Sequence, residues 1–67
     1  MYRPAALLNA AHAAGDATTA EIAARLGVPY QSAYRWTTGR HAPGPGGLAA
    51  IERAYGLTPA ALFGAAA

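Results

Sequence analysis

Side chains able to bond the edges of nucleobases are concentrated between residues 30 and 35. If this stretch is helical, a rotation of about 100° per residue places four of them on one contiguous arc. The four are Tyr30, Gln31, Tyr34 and Arg35. A glutamine amide can pair with adenine N6 and N7, and an arginine guanidinium can pair with guanine O6 and N7. The arc has the chemistry for contacts to base pairs, although the solvated face of an ordinary helical bundle would have the same pattern.

Helix boundary signals flank this arc. Thr18 and Glu21 have the spacing of a capping box, which predicts the start of a helix. Gly27 ends that helix after about two turns, and Pro29 is tolerated in the first turn of a helix but not in its interior. The next helix is therefore predicted to start at Pro29 and to end before Gly39. Two short helices that meet at a glycine turn can hold one helix face outward.

The remaining segments have similar helix start and stop signals. Proline and glycine positions predict helices at about residues 4–14, 48–55 and 59–63. The Gly- and Pro-rich stretch 41–47 is predicted to be a connector, without helix or strand interior. Residues 64–67 are expected to be a frayed tail.

Apolar residues on the two central helices predict where the core lies. Ile22, Ala23 and Leu26 form a stripe at helical spacing. On the following helix, Ala33 and Trp36 fall near one another, opposite the polar arc. We therefore expect both helices to pack through these residues.

Length and composition bound the class of protein. A chain of 67 residues makes a single domain, 1–67, and without cysteine it has no disulfide. No segment alternates cleanly enough to predict a strand, so we predict an all-α fold of five short helices. No apolar run approaches the about 20 residues that cross a membrane, and no signal peptide is evident. We expect a cytoplasmic protein with no membrane partner.

Charged residues exclude some functions and weakly favour another. The net charge is +2, and every lysine or arginine position is an arginine. This charge is compatible with binding to nucleic acid but does not establish it. Arg25 is expected to pair with Glu21, four residues earlier on the same helix. His12 and His41 are far apart and form no recognisable metal site. No nucleophile–base spacing and no phosphate loop is present, so we expect neither an enzyme nor a cofactor or small-molecule substrate.

The segment "TTAEIAARLGVPYQSAYRWTTGRHAP" resembles the helix-turn-helix of Cro and the lambdoid phage repressors, the XRE-like regulators. Gly27 matches the turn glycine of that family, and Gly39 matches its closing glycine. The similarity extends from about residue 5 to residue 63. It implies a lambda-repressor-like domain with the helix-turn-helix at about 19–38. Ala33 and Thr37 depart from the pattern, where the family commonly has Ile or Val and an acidic residue.

The resemblance also implies roles for individual residues, on double-stranded DNA as the partner. The arc at 30–35 would contact bases, which specify the sequence, and other residues would contact phosphates, which position the protein. The phosphate contacts would come from the start of the second helix, from the third helix and from the residues that follow it. These residues are Thr18, Thr19, Ser32, Arg40 and His41.

The function implied is that of a Cro-like transcriptional repressor that binds a palindromic operator as a homodimer. Its half-sites would lie about 34 Å apart, one helical turn of DNA. Leu57, Leu62 and Phe63 could supply the dimer surface or could close the core of the monomer. Two alternatives remain open: an antitoxin-like autoregulator with a protein partner, and a helical protein-binding module without DNA contact.

Overall fold

The computed structural model describes residues 1–64, and these form five α-helices without a β-strand. The expected all-α fold of five short helices is confirmed. The predicted frayed tail, apart from Gly64, lies outside the described residues. The helices are α1 Pro4–Ala13, α2 Thr19–Leu26, α3 Tyr30–Thr38, α4 Pro45–Tyr55 and α5 Pro59–Phe63.

Helices α2 and α3 are bounded by the predicted signals. The Thr18 hydroxyl accepts a hydrogen bond from the Glu21 amide at 3.1 Å, and the Glu21 carboxylate accepts one from the Thr18 amide at 3.0 Å. This reciprocal pair is the predicted capping box. Gly27 then adopts a left-handed conformation with φ of 71°, which costs a glycine little, and the chain re-enters a helix after Pro29. The turn between the two helices is therefore fixed by local chemistry.

One compact core lies between α1, α2, α3, α4 and α5. Its fully buried large side chains come from four of the helices, and each contributes on the order of 1.5–3 kcal/mol through burial. They are Leu7, Ile22, Ile51 and Leu62. Small residues let α2 approach α3 closely: Ala33 is fully buried and Ala23 is 6% exposed. Trp36 is only half-buried and packs against the edge of this core.

The prediction of a connector over 41–47 is wrong from Pro45 onward, because α4 begins there and not at about residue 48. Pro45 occupies the first turn, where its missing N–H is not needed. The Leu48 amide already donates to the Gly44 carbonyl at 2.8 Å. Gly47 lies so close to Trp36 that an added Cβ would be 2.7 Å from the ring atom Cη2. Close packing against Trp36 therefore accounts for glycine at position 47 despite its low helix propensity, whereas an added Cβ at Gly46 would meet nothing within 4 Å.

The predicted Glu21–Arg25 pair is also wrong. The Glu21 carboxylate accepts from the amides of Ala17 and Thr18 at the start of α2 and forms no ion pair with Arg25. Arg25 donates instead from Nε and Nη2 to the carboxylate of Asp16, with Nη2 at 3.3 Å. The capping box and the i,i+4 pair compete for one carboxylate, and the capping box is the arrangement that forms.

The N-terminal segment connects α3 to α5. The Tyr2 hydroxyl donates to the carbonyl of Trp36 at 2.7 Å, and the Arg3 amide donates to the Leu62 carbonyl at 2.7 Å. The Tyr2 ring also lies 5.7 Å from that of Phe63. Burial raises the pKa of Tyr2 to about 12. Leu57, Leu62 and Phe63 thus pack against the core of the monomer, as one of the two interpretations expected.

Candidate nucleic-acid interface

The four residues predicted to contact bases lie together on the outer face of α3. Tyr30 is 54% exposed and Tyr34 is 40% exposed, and Gln31 and Arg35 are exposed as well. Ala33 is fully buried on the other side of α3, the side that packs against the core. The structure thus brings the whole predicted set to one surface, which we call the α3 face.

Thr38 also belongs to the α3 face, although the sequence analysis did not single it out. It is exposed, and at about 100° per residue it lies between Tyr34 and Gln31 around the helix. Its hydroxyl donates to the Tyr34 carbonyl at 2.7 Å, which leaves the oxygen free to accept from outside. Its spacing of four residues from Tyr34 was the available signal, but its position at the helix end obscured it.

Aromatic stacking organises one edge of the α3 face. The rings of Tyr30 and Tyr34 are 6.3 Å apart between centroids and 17° from parallel. The guanidinium carbon of Arg40 lies 5.8 Å from the centroid of the Tyr34 ring, within the range of a cation–π contact. These three side chains form a continuous row that runs from the first turn of α3 past its last.

Two of the predicted phosphate contacts directly follow α3. Arg40 and His41 are exposed, and their amides donate to the Arg35 carbonyl at 3.0 and 3.3 Å. Gly39 allows this return with φ of 79°, and an added Cβ there would meet Pro4 at 3.1 Å. The two basic side chains are therefore held next to the end of α3.

The other predicted phosphate contacts are less well placed. Thr18 is exposed and Thr19 partly exposed at the start of α2, but the Glu21 carboxylate already accepts from the Ala17 and Thr18 amides and from the Thr18 hydroxyl. A negative charge there opposes a phosphate and offsets the helix dipole. Ser32 is half-buried, beyond Arg35 at the margin of the α3 face.

Charge is distributed unevenly along the chain. Its three acidic residues are Asp16, Glu21 and Glu52, so the stretch 22–51 contains none. That stretch includes α3 and the basic residues that follow it. Arg35 and Arg40, on and next to the α3 face, therefore have no acidic residue in the same segment to offset their charge.

A partly buried ion pair that the sequence did not predict, between the exposed Arg25 and the buried Asp16, supports α2, the helix that precedes α3. Asp16 is 7% exposed and accepts from Arg25 and, at 2.8 Å, from the hydroxyl of Tyr55. The hydrogen bond from Arg25, followed by that from Tyr55, lowers the pKa of Asp16 below its usual value. Burial, together with the bond to Asp16, raises the pKa of Tyr55 to about 12. This group ties α2 to α4 and so holds the support on which α3 packs.

Comparison with known protein families gives a match over most of the helical region. A family model described as helix-turn-helix matches residues 18–62, which are about two-thirds of the chain. No curated protein and no solved structure matches the chain significantly. Among residues 1–64, no helix is long and apolar enough to cross a membrane.

The match spans α2, α3 and all of α4, and it includes both the capping box and the α3 face. The predicted resemblance to Cro and the lambdoid repressors is thereby confirmed, and so is the lambda-repressor-like fold. The chain belongs to the XRE-like helix-turn-helix family of DNA-binding regulators.

Proposed function

We propose that this protein is a sequence-specific transcriptional repressor of the Cro type that inserts α3 into the major groove of DNA. The observation that carries the proposal is the α3 face, where amide, guanidinium and phenol groups are exposed together on a helix of nine residues. An α-helix with its side chains is about 10–12 Å in diameter, and a major groove about 12 Å wide admits it.

Within the α3 face, Gln31 and Arg35 are the proposed base-specifying residues. Both present groups that can form two hydrogen bonds to one purine, and each such pair is worth about 1–3 kcal/mol against a wrong base. Tyr30 and Tyr34 offer ring edges and hydroxyls for contacts to bases, thymine methyl groups or phosphates. Their exposure next to one another supports such roles, because adjacent exposed aromatic rings form an apolar surface of the kind found at binding sites.

Among the proposed phosphate contacts, Arg40 and His41 have the strongest support, since both are exposed at the end of α3. Contacts from Thr18 and Thr19 would have to overcome the nearby carboxylate of Glu21. Ser32 would reach only a phosphate at the margin of the groove. Contacts of this kind fix the register of the protein and give affinity its salt dependence.

We further propose that two copies bind a palindromic operator and pair on the DNA, in the cytoplasm or nucleoid of a bacterium. No catalytic step or cofactor is part of this function. Leu62 is fully buried, and the exposed large apolar residues among 1–64 are Met1, Tyr30 and Tyr34. That distribution favours pairing through modest contacts on the operator over a large preformed interface. It also weakens the antitoxin alternative, because an exposed apolar patch at 57–63 would suit a protein partner, whereas Leu57, Leu62 and Phe63 pack against the core.

Selection of DNA from a random library tests the proposal. Wild-type protein and the double variant Gln31→Ala/Arg35→Ala are compared under identical salt conditions. Asn9→Ala/Arg53→Ala is the matched control, because it removes the same kinds of group from exposed positions on α1 and α4. We expect the wild type and the control to enrich one palindrome and the α3 variant to lose it.

Two results would count against the proposal. Salt-dependent binding without an enriched sequence would leave only a non-specific DNA-binding protein. Absence of binding at low salt, with the fold intact by circular dichroism, would favour a helical protein-binding module.

A further inference from the structure

Arg40 is a charged residue next to the α3 face, and its guanidinium contacts a side chain of that face. It lies outside the helix, exposed to solvent, and no acidic residue pairs with it among residues 1–64. Its guanidinium carbon lies over the ring of Tyr34, 5.8 Å from the ring centroid. Without that ring, the long side chain would be free to sample several rotamers.

The ring of Tyr34 is itself held in place. It stacks on Tyr30 one turn earlier, with the ring planes 17° apart. Its backbone carbonyl accepts from the hydroxyls of Thr37 at 3.2 Å and Thr38 at 2.7 Å. The two rings of this row thus belong to residues of α3, and its charged group, the Arg40 guanidinium, belongs to a residue beyond the end of the helix.

We propose that Tyr34 is a positioning residue that holds the Arg40 guanidinium, over its ring, in the orientation that binds a DNA backbone phosphate. This inference rests on the proposed DNA-binding function, and it explains how the contact between Arg40 and a phosphate is oriented. The ring, and not the hydroxyl, carries the effect, because a cation is attracted to the face of the aromatic system. Tyr30 supports the arrangement by stacking on Tyr34.

The salt dependence of binding separates this role from an ordinary base contact. Each neutralised phosphate contributes about 0.9 to the slope of log K against log salt. Arg40→Ala should lower that slope by about one phosphate. Tyr34→Ala removes no charge, yet it should lower the slope toward the value of Arg40→Ala. Tyr34→Phe keeps the ring and should retain the wild-type slope. A tyrosine that only contacts a base, or only stabilises the fold, leaves the slope unchanged when it is removed.

The test is a double-mutant cycle on the selected operator, with dissociation constants measured at several salt concentrations. The coupling expected for an exposed cation–π pair is about 2- to 5-fold in the dissociation constant. Tyr34→Ala should therefore weaken binding less in the Arg40→Ala background than in the wild type, by that factor. Circular dichroism and thermal melting of each variant verify that the fold is retained.

The outcomes distinguish this inference from the proposed function. An unchanged slope for Tyr34→Ala, or effects of the two substitutions that simply multiply, would overturn the positioning role while leaving DNA binding in place. Loss of coupling in Tyr34→Phe would also overturn it, since the ring would then not be the cause. Failure of the wild type to bind any DNA would instead contradict the proposed function itself.

Discussion

At the scale of single residues, the α3 face is divided into two stripes of different chemistry. Tyr30 and Tyr34 form an aromatic stripe along one edge, and Gln31 and Arg35 form a polar stripe along the other, with Thr38 between them. A polar stripe can distinguish base pairs through directed hydrogen bonds, whereas an aromatic stripe offers apolar area and stacking. The two stripes should therefore respond differently to substitution.

Single substitutions in the polar stripe should alter specificity at one base position each. Arg35→Ala is expected to cost about 1–3 kcal/mol on the selected operator and to relax preference at one position. Arg40→Ala should instead weaken binding to all sequences by a similar factor. Affinities for a panel of single-base operator variants measure both effects. A uniform loss for Arg35→Ala would contradict its assignment to base contact.

Two neighbouring glycines provide a matched test of the packing at α4. Gly47→Ala should destabilise the protein by about 1–3 kcal/mol, because the new Cβ would lie 2.7 Å from the Trp36 ring. Gly46→Ala meets nothing within 4 Å and should stabilise the helix by about 0.5–1 kcal/mol. Denaturant unfolding followed by tryptophan fluorescence measures both. Equal effects of the two substitutions would refute the close contact between Gly47 and Trp36.

At the scale of elements, the sequence predicted what is locally encoded and missed what depends on distant contacts. The ends of α2 and α3 follow from Thr18, Gly27 and Gly39, each of which acts within one turn of itself. The start of α4 at Pro45 has a local signal, since proline suits the first turn of a helix, but the two glycines that follow it obscured that signal. The close contact between Gly47 and Trp36 is one that no local pattern reveals.

The candidate site divides in the same way. Helical spacing predicted the α3 face, because its residues lie within two turns of one another. The group of Asp16, Arg25 and Tyr55 joins residues 39 positions apart, and the bond from Tyr2 to Trp36 spans 34. Neither spacing is a helical signal, so the supports of the site were not predictable even though its exposed surface was.

The support of α2 by Asp16 predicts a specific response to acid. The folded-state pKa of Asp16 lies below its unfolded value, so the unfolded chain binds its proton first as the pH falls. The stabilisation is therefore complete above the unfolded pKa of about 3.9 and is lost as the pH falls below it.

Thermal melting of the wild type and of Asp16→Asn across this range measures the effect. We expect the wild type to be the more stable protein at pH 7 and the difference to narrow as the pH falls below about 4. Glu52→Gln, at an exposed position on α4, serves as the control. A difference that stays constant with pH would mean that ionised Asp16 does not stabilise the fold.

At the scale of the whole molecule, the exposed aromatic rings of Tyr30 and Tyr34 lie on the α3 face, the surface proposed to contact DNA. The residues that could have formed a second apolar surface, Leu57, Leu62 and Phe63, pack within the monomer. A standard protein interface buries about 800 Å² on each partner, and the exposed large apolar side chains among residues 1–64 do not form such a patch away from the α3 face.

This arrangement predicts a monomer in solution that pairs on its operator. Sedimentation equilibrium of the protein alone should give the monomer mass, and the complex with a full palindrome should contain two protein chains. Binding to a single half-site should then be weaker and should not be cooperative. A stable dimer in the absence of DNA would contradict the prediction and would direct attention to a dimer surface other than the α3 face.

The most direct test of the central claim is an NMR titration of isotope-labelled protein with the selected operator. Insertion of α3 into the major groove predicts the largest amide shifts at residues 30–41 and contacts from the side chains of Gln31 and Arg35 to base protons. The exposed side of α1, around Asn9, should change little. Shifts centred on α1 or α5, with α3 unperturbed, would contradict the account and assign the binding surface elsewhere.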